Sequence, residues 1–384
     1  MATSSLNGDY SQVLPIVSSF FTIKNFQLIV QEDYVEFLIA DTEVKDKFTL
    51  LLKELGKVGM VATAKRSKYV SRLMPTLSTA RSSVDDGIVI TVFKMQKQKP
   101  RSKFWQLLPS LLFIACVVIV FVDGMLRSLS PLDISQVQNP ILLAIIYTMS
   151  IMGILGIHEL GHILANRKHR LRASWPYFIP GIPGIIPTFG ALIVLRAKMT
   201  NRNVMFDVGI AGPIAGLIVT IFVSIYGSSI STLITTDEAE RLFREDQLTP
   251  LPFGESLLMV ATLHMTGMVV EGTLLVASPV LFAAWFGFLI TFLNLMPAWQ
   301  LDGGHLARSA LSVRWHRVLT YISIAILFIL KFYPMALLVL LFSLRTPTST
   351  PLDDVTPLSP KRKVLFFVAL GLAVVTAPIP TTLF

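Results

Sequence analysis

His158 and His162, four residues apart in the run His158-Glu159-Leu160-Gly161-His162, are the side chains best suited by type and spacing to do chemistry. Residues i and i+4 stack on one helix face, so both imidazoles can reach a single metal ion. Glu159 lies beside that pair and can accept a proton from a hydrolytic water. Ionisable groups in an apolar span are costly and mark function rather than packing. Two histidines do not complete a catalytic zinc site, which takes three protein ligands and leaves one position open. No histidine or glutamate follows at the short spacing of longer soluble motifs. Asp302 is the best candidate, an isolated carboxylate closing the apolar run before Gly303 and Gly304, which permit close backbone approach. Taken alone, Asp302 reads equally well as the cap of a helix over 306–311. Beside His158 and His162, the ligand reading prevails. Two His and one carboxylate also suit iron(II), but the neighbouring glutamate argues for hydrolysis.

The elements that must position these residues are membrane spans. Of 384 residues, 53% are hydrophobic and 15% charged, against about 25% charged in soluble domains. Cys116 is the single cysteine, which excludes an intramolecular disulfide or a cysteine metal cage. The net charge of +9 reads as basic loops on one side of a bilayer rather than a nucleic-acid surface. No signal peptide is expected, because the first hundred residues are mixed and polar. Residues 1–103 read as a small α+β soluble domain, with strands at 26–30, 34–39, 58–64 and 88–93 and a helix at 44–55. It carries no cluster of catalytic residue types, and a regulatory or docking role is expected.

Apolar runs follow at 104–122, 140–165, 206–234, 279–296, 318–329, 333–344 and 364–377, for about six to seven transmembrane helices, some of them short. The weaker run 256–278, interrupted by His264 and Glu271, reads as peripheral or re-entrant. With it left out, every basic loop falls on one side: Lys94, Lys97, Lys99, Arg101 and Lys103 before the first span; Arg167, Lys168, Arg170, Arg172, Arg196, Lys198 and Arg202 between the second and third; Arg308, Arg314 and Arg317 after the fourth; Arg345, Lys361, Arg362 and Lys363 before the last. That parity places the N-terminal domain, His162 and Asp302 toward the cytoplasm. The division expected is 1–103, a core at 104–315, and C-terminal spans at 316–384.

These residues resemble the site-2 protease family of intramembrane zinc metalloproteases. The resemblance lies in His-Glu-Leu-Gly-His, in Leu301-Asp302-Gly303 about 140 residues later, and in the small-residue stretch Ala211-Gly-Pro-Ile-Ala-Gly216. Asn294 and Pro297 stand where the family has an Asn-Pro-type motif, although Leu295 and Met296 separate them here. An N-terminal soluble domain and a Pro/Gly-rich hairpin before Phe189-Gly190 are similar to an archaeal and chloroplast branch. The resemblance implies one Zn²⁺ per chain on His158, His162 and Asp302, and Glu159 as catalytic base. It also implies a transmembrane protein substrate in the lipid bilayer of the cell membrane, and no nucleic acid. Asn294 reads equally as an oxyanion donor or an interhelical hydrogen bond.

Pro180 to Gly190 cannot form a regular helix, and 191–195 reads as a short strand. Two readings stay open, a plain interfacial loop held by Trp175 and Tyr177 or a membrane-associated β-hairpin whose edge pairs with unwound substrate, and the resemblance favours the hairpin. Gly209, Gly212 and Gly216 are spaced for close helix approach. Asp207 is expected to cap or anchor its span, His305 to be solvated, His169 and His316 to be loop charges, and His264 with Glu271 a structural pair. A prenyl-protein protease would use a downstream glutamate, of which only Glu271 qualifies. A transporter would show inverted repeats of broken helices, and no second half matches the first.

Overall fold

The computed structural model describes residues 10–29, 33–66, 87–95, 102–129, 137, 139–194, 198–245, 254–346 and 349–379. Lys97, Lys99, Arg101 and Arg196 of the basic loops lie outside them. The chain divides into two compact units. The first comprises Met1–Pro100 with Lys198–Met205 and Ser349–Pro360, so it takes in two later segments as well as the expected N-terminal domain.

In this unit helix α1 (Val13–Phe20) precedes β1 (Ile23–Ile29) and β2 (Tyr34–Ile39), and α2 (Lys45–Lys57) precedes β3 (Met60–Arg66) and β4 (Ile88–Lys94). The strands form one antiparallel sheet in the order β1-β2-β4-β3. Phe48, Leu51 and Leu55, at helical spacing, bury one face of α2 with Val35, Phe37, Ile90 and Val92 of the sheet. Three details differ from expectation. Helix α1 went unanticipated, because Pro15 interrupts a short sequence. β1 starts earlier, at Ile23, and α2 begins after Val44, its N-cap. At the β3 edge, Ala64 N–H donates to the Leu352 carbonyl at 2.8 Å and its carbonyl accepts from Asp354 N–H at 3.1 Å.

The second unit is Arg101–Ala197, Phe206–Thr348 and Lys361–Phe384. Among the described residues three helices are long and apolar enough to cross a membrane: α3 (Lys103–Ser128), α4 (Pro140–Lys168) and α5 (Arg202–Ser229). Asn139 starts α4 by accepting from the N–H groups of Ile141 and Leu142, with Pro140 at the first helical position, where a missing donor costs nothing. Asn201 accepts from Val204 N–H at the start of α5, so Asp207, six residues into the helix, does not cap it. The third span ends as helix at Ser229; Thr232–Thr235 is strand β7, paired antiparallel with β9 (Thr273–Val276). Between them lie α6 (Thr236–Arg244), the short β8 (Glu255–Ser256) and α7 (Leu257–Met265). The run 256–278 is therefore no continuous helix.

Helix α8 (Pro279–Leu295) is apolar on every side and buried through most of its length. A helix of that composition belongs in the middle of a bundle. Ser278 caps it, accepting from Leu281 N–H at 3.2 Å while donating to the Gly227 carbonyl at 2.8 Å. The short α9 (Asp302–Ala310), then α10 (Val313–Ile329), α11 (Tyr333–Arg345), α12 (Pro360–Thr376) and β10 (Pro378–Ile379) complete the fold. Helix α8, at 17 residues, and α11, at 13, are apolar but shorter, so among the described residues three helices are by themselves long and apolar enough to cross. The hairpin is β5 (Tyr177–Ile182) and β6 (Ile186–Leu192). Its second strand begins at Ile186, earlier than the expected 191–195, and Pro180 and Pro187 both sit within strands.

Candidate metal centre

The two histidines share one face of α4, as their spacing requires, and Asp302 arrives from the first turn of α9. Nε2 of His158 and Nε2 of His162 are 3.2 Å apart, and each is 3.3 Å from Asp302 Oδ2. Three corners of a tetrahedron with metal–ligand bonds of about 2.0–2.1 Å lie about 3.3 Å from one another. The donor set therefore fits a small four-coordinate cation, with the fourth corner open. His158, Glu159 and His162 are buried, and Asp302 is half-buried.

The backbone explains how four groups from separate elements meet. His162 Nδ1–H donates to the Val208 carbonyl of α5 at 2.8 Å. A carbonyl only accepts, so this bond fixes the tautomer and leaves the Nε2 lone pair facing His158 and Asp302. Helix α5 comes this close because its facing residues are glycines. A Cβ on Gly212 would fall 2.2 Å from His162 Nε2, and one on Gly216 would fall 3.0 Å from His158 Cβ. The expected small-residue stripe thus packs directly behind both imidazoles. Asp302 is placed by the turn between α8 and α9. A Cβ on Gly303 would lie 2.0 Å from the Leu295 carbonyl, so only glycine lets α9 fold back onto the end of α8.

Asn294 and Glu159 line one cavity of about 1550 Å³ together with His158. Its wall includes Ile186–Leu192 of β6 and the aromatic rings of Trp285, Phe286 and Phe332. His162 and Asp302 do not reach that wall. His305 is half-buried beside Gly209 rather than fully solvated. His169 is no free loop charge: its Nε2 lies 3.1 Å from Asp207 Oδ2, and Arg362 grips the same carboxylate with two bonds of 2.7 Å. His316 is buried in α10, not in a loop. His264 and Glu271 are both exposed, and Glu271 is not among the residues of the cavity wall.

One buried carboxylate escaped the sequence reading. Asp123 was expected in the loop after residue 122, but α3 continues to Ser128 and buries it completely. Arg127, one turn later, was the legible signal, as an Asp–Arg pair at i,i+4 prolongs a helix.

Long apolar helices and a His–His–Asp cluster beside a glutamate define a class: a helical membrane protein with a candidate metal centre inside its bundle. Residues 146–330, just under half of the chain, match Peptidase family M50. It is similar to the "probable zinc metalloprotease EGY1, chloroplastic" of Arabidopsis thaliana, at 29% identity over 86% of this chain and 56% of that protein. It is also similar to the "probable zinc metalloprotease EGY2, chloroplastic" of Oryza sativa subsp. indica, at 33% identity over 40% of this chain and 27% of the relative. The chain thus spans little more than half of the first relative and about a quarter of the second. No solved structure matches it.

Proposed function

We propose that the protein is an intramembrane zinc metalloendopeptidase that cuts transmembrane segments of other membrane proteins. The observation that carries this reading is the meeting of His158, His162 and Asp302 at 3.2–3.3 Å beside Glu159 in an apolar bundle. The similarity to proteins named as zinc metalloproteases supports the choice of metal. His158, His162 and Asp302 would hold the ion, one per chain, and zinc there would supply Lewis acidity toward a peptide carbonyl.

The chain's own residues carry the remaining roles. The Val208 carbonyl keeps His162 in the binding tautomer. The Glu159 carboxylate takes the proton of the attacking water and returns it to the departing amide nitrogen. The Asn294 side-chain amide donates toward the carbonyl oxygen as negative charge develops there. The apolar cavity accepts a substrate segment, whose helix must unwind because its carbonyls are otherwise tied up internally. The outer edge of β6 then offers backbone partners to the extended strand.

In this reading 104–315 is the catalytic core, 1–103 a regulatory or docking module, and 316–384 further membrane helices, for six to seven crossings in all. The site faces the side bearing the basic loops, the cytoplasm or its organellar equivalent. Metal content of the detergent-purified protein by mass spectrometry tests it. About one zinc per chain, lost in both His158→Ala and Asp302→Ala, is the expected result. A well-folded wild type without zinc overturns the proposal, and zinc retained by Asp302→Ala removes Asp302 from the ligand set.

A further inference from the structure

Asp123 lies inside α3, where a carboxylate has no packing value, and every one of its acceptor positions is used. Arg127 Nε donates to Oδ2 at 2.8 Å and Nη2 to Oδ1 at 3.4 Å; the Tyr147 hydroxyl of α4 also donates to Oδ2. The fourth donor comes from outside the helices: the backbone N–H of Gly184, at the turn of the hairpin, reaches Oδ1 at 2.6 Å. The Arg127 guanidinium lies 3.6 Å from the centre of the Phe282 ring, which fixes it in turn. Ionisable groups buried at membrane depth are retained where they do a job, and the metal centre makes no use of this one.

Two more contacts lie on the same side of α3. Phe113 meets Phe178 of β5 edge to face at 5.3 Å, and Cys116 Sγ lies 3.6 Å from Thr188 Oγ1 of β6. Phe113, Cys116 and Asp123 are spaced by three and seven, one stripe of a helix. Helix α3 therefore backs both strands and the turn, while Ile186–Leu192 line the cavity that His158, Glu159 and Asn294 also line. A two-stranded hairpin is marginal by itself, and this one is punctuated by Gly181, Gly184 and Gly190. It needs an anchor to present a fixed edge.

We propose that Asp123 is a positioning residue that locks the β5–β6 turn onto α3, so that β6 presents a rigid edge to an extended substrate segment. The inference rests on the reading of β6 as the docking strand. The experiment uses the full chain in nanodiscs and a fluorescent single-span peptide of about 20 Leu and Ala residues. Peptide affinity is read by anisotropy, cleavage by gel, and metal content by mass spectrometry. In Asp123→Ala, zinc stays at the wild-type level, the dissociation constant rises about tenfold, and the turnover number of any cleavage changes little. Asp123→Asn, which keeps an acceptor for Gly184, falls between and serves if the alanine variant does not fold. Thr188→Cys adds a covalent lock, since the new thiol faces native Cys116. In Asp123→Ala, oxidation of that pair restores affinity and reduction removes it again.

An unchanged dissociation constant in Asp123→Ala overturns the proposal, as does a loss of zinc in parallel with affinity or a disulfide that rescues nothing. A wild type that binds the peptide but cuts none overturns the protease reading alone, and the affinity arms still decide the anchor.

Discussion

Single atoms decide most of what the metal centre can do. Glu159→Gln preserves the shape beside His158 and His162 while removing the base, so zinc binding should persist and cleavage should fall by about 10²–10⁴. A variant with both losses would place Glu159 among the ligands instead. Gly212→Ala tests the packing behind the site, because its Cβ would fall 2.2 Å from His162 Nε2, whereas a Cβ on Gly156 meets nothing within 4 Å. Zinc per chain should drop sharply in Gly212→Ala and hold in Gly156→Ala. Glu255, on the cavity wall, offers a pH test, since burial raises its carboxyl above the usual 4.5. An acid whose folded-state pKa is raised destabilises the fold once pH exceeds its unfolded value. Glu255→Gln should therefore unfold at the same temperature as wild type well below pH 4.5 and at a higher one as pH rises past that value. The His-Glu-x-x-His pair and Asp302 were legible as residues because their chemistry is rare in apolar sequence. The Asp207–Arg362 contact was not, since its partners are 155 residues apart and only folding brings them together.

Elements were legible where one periodicity ran uninterrupted. The cores of α3, α4 and α5, and strands β2 and β4, follow directly from apolar patterning. Ends were harder: α3 outlasts its apolar run because Arg127 pairs with Asp123 at 2.8 Å, and the strands of the hairpin tolerate prolines that usually end one. The sharp turn from α8 to α9 depends on Gly303, whose missing Cβ admits the Leu295 carbonyl. Gly303→Ala should displace Asp302 and cost about 1–3 kcal/mol as overpacking, visible as a lower unfolding temperature together with lost zinc. Ser278, at the other end of α8, closes that helix and ties it to Gly227. Ser278→Ala should lower stability by about 1 kcal/mol, as N-cap losses do, and leave zinc content alone.

Across the whole molecule, sequence continuity was a poor guide to compactness. The first unit collects Met1–Pro100, Lys198–Met205 and Ser349–Pro360, so a fragment ending at residue 103 lacks the partner of Ala64. Hydrogen exchange at the Ala64 amide should be fast in that fragment and slow in the full chain, where Leu352 accepts the bond. Equal protection in both would mean that the later segment adds nothing to the edge. The hairpin invites a different thought about many copies sharing one bilayer. An exposed strand edge is ordinarily a template on which identical chains stack. Here Pro187 withholds a donor and Gly190, at φ +90°, turns the backbone out of line. Both features break the regular ladder that stacking copies of the chain would need; if β6 takes a substrate strand as proposed, the same edge is a poor template for the chain itself.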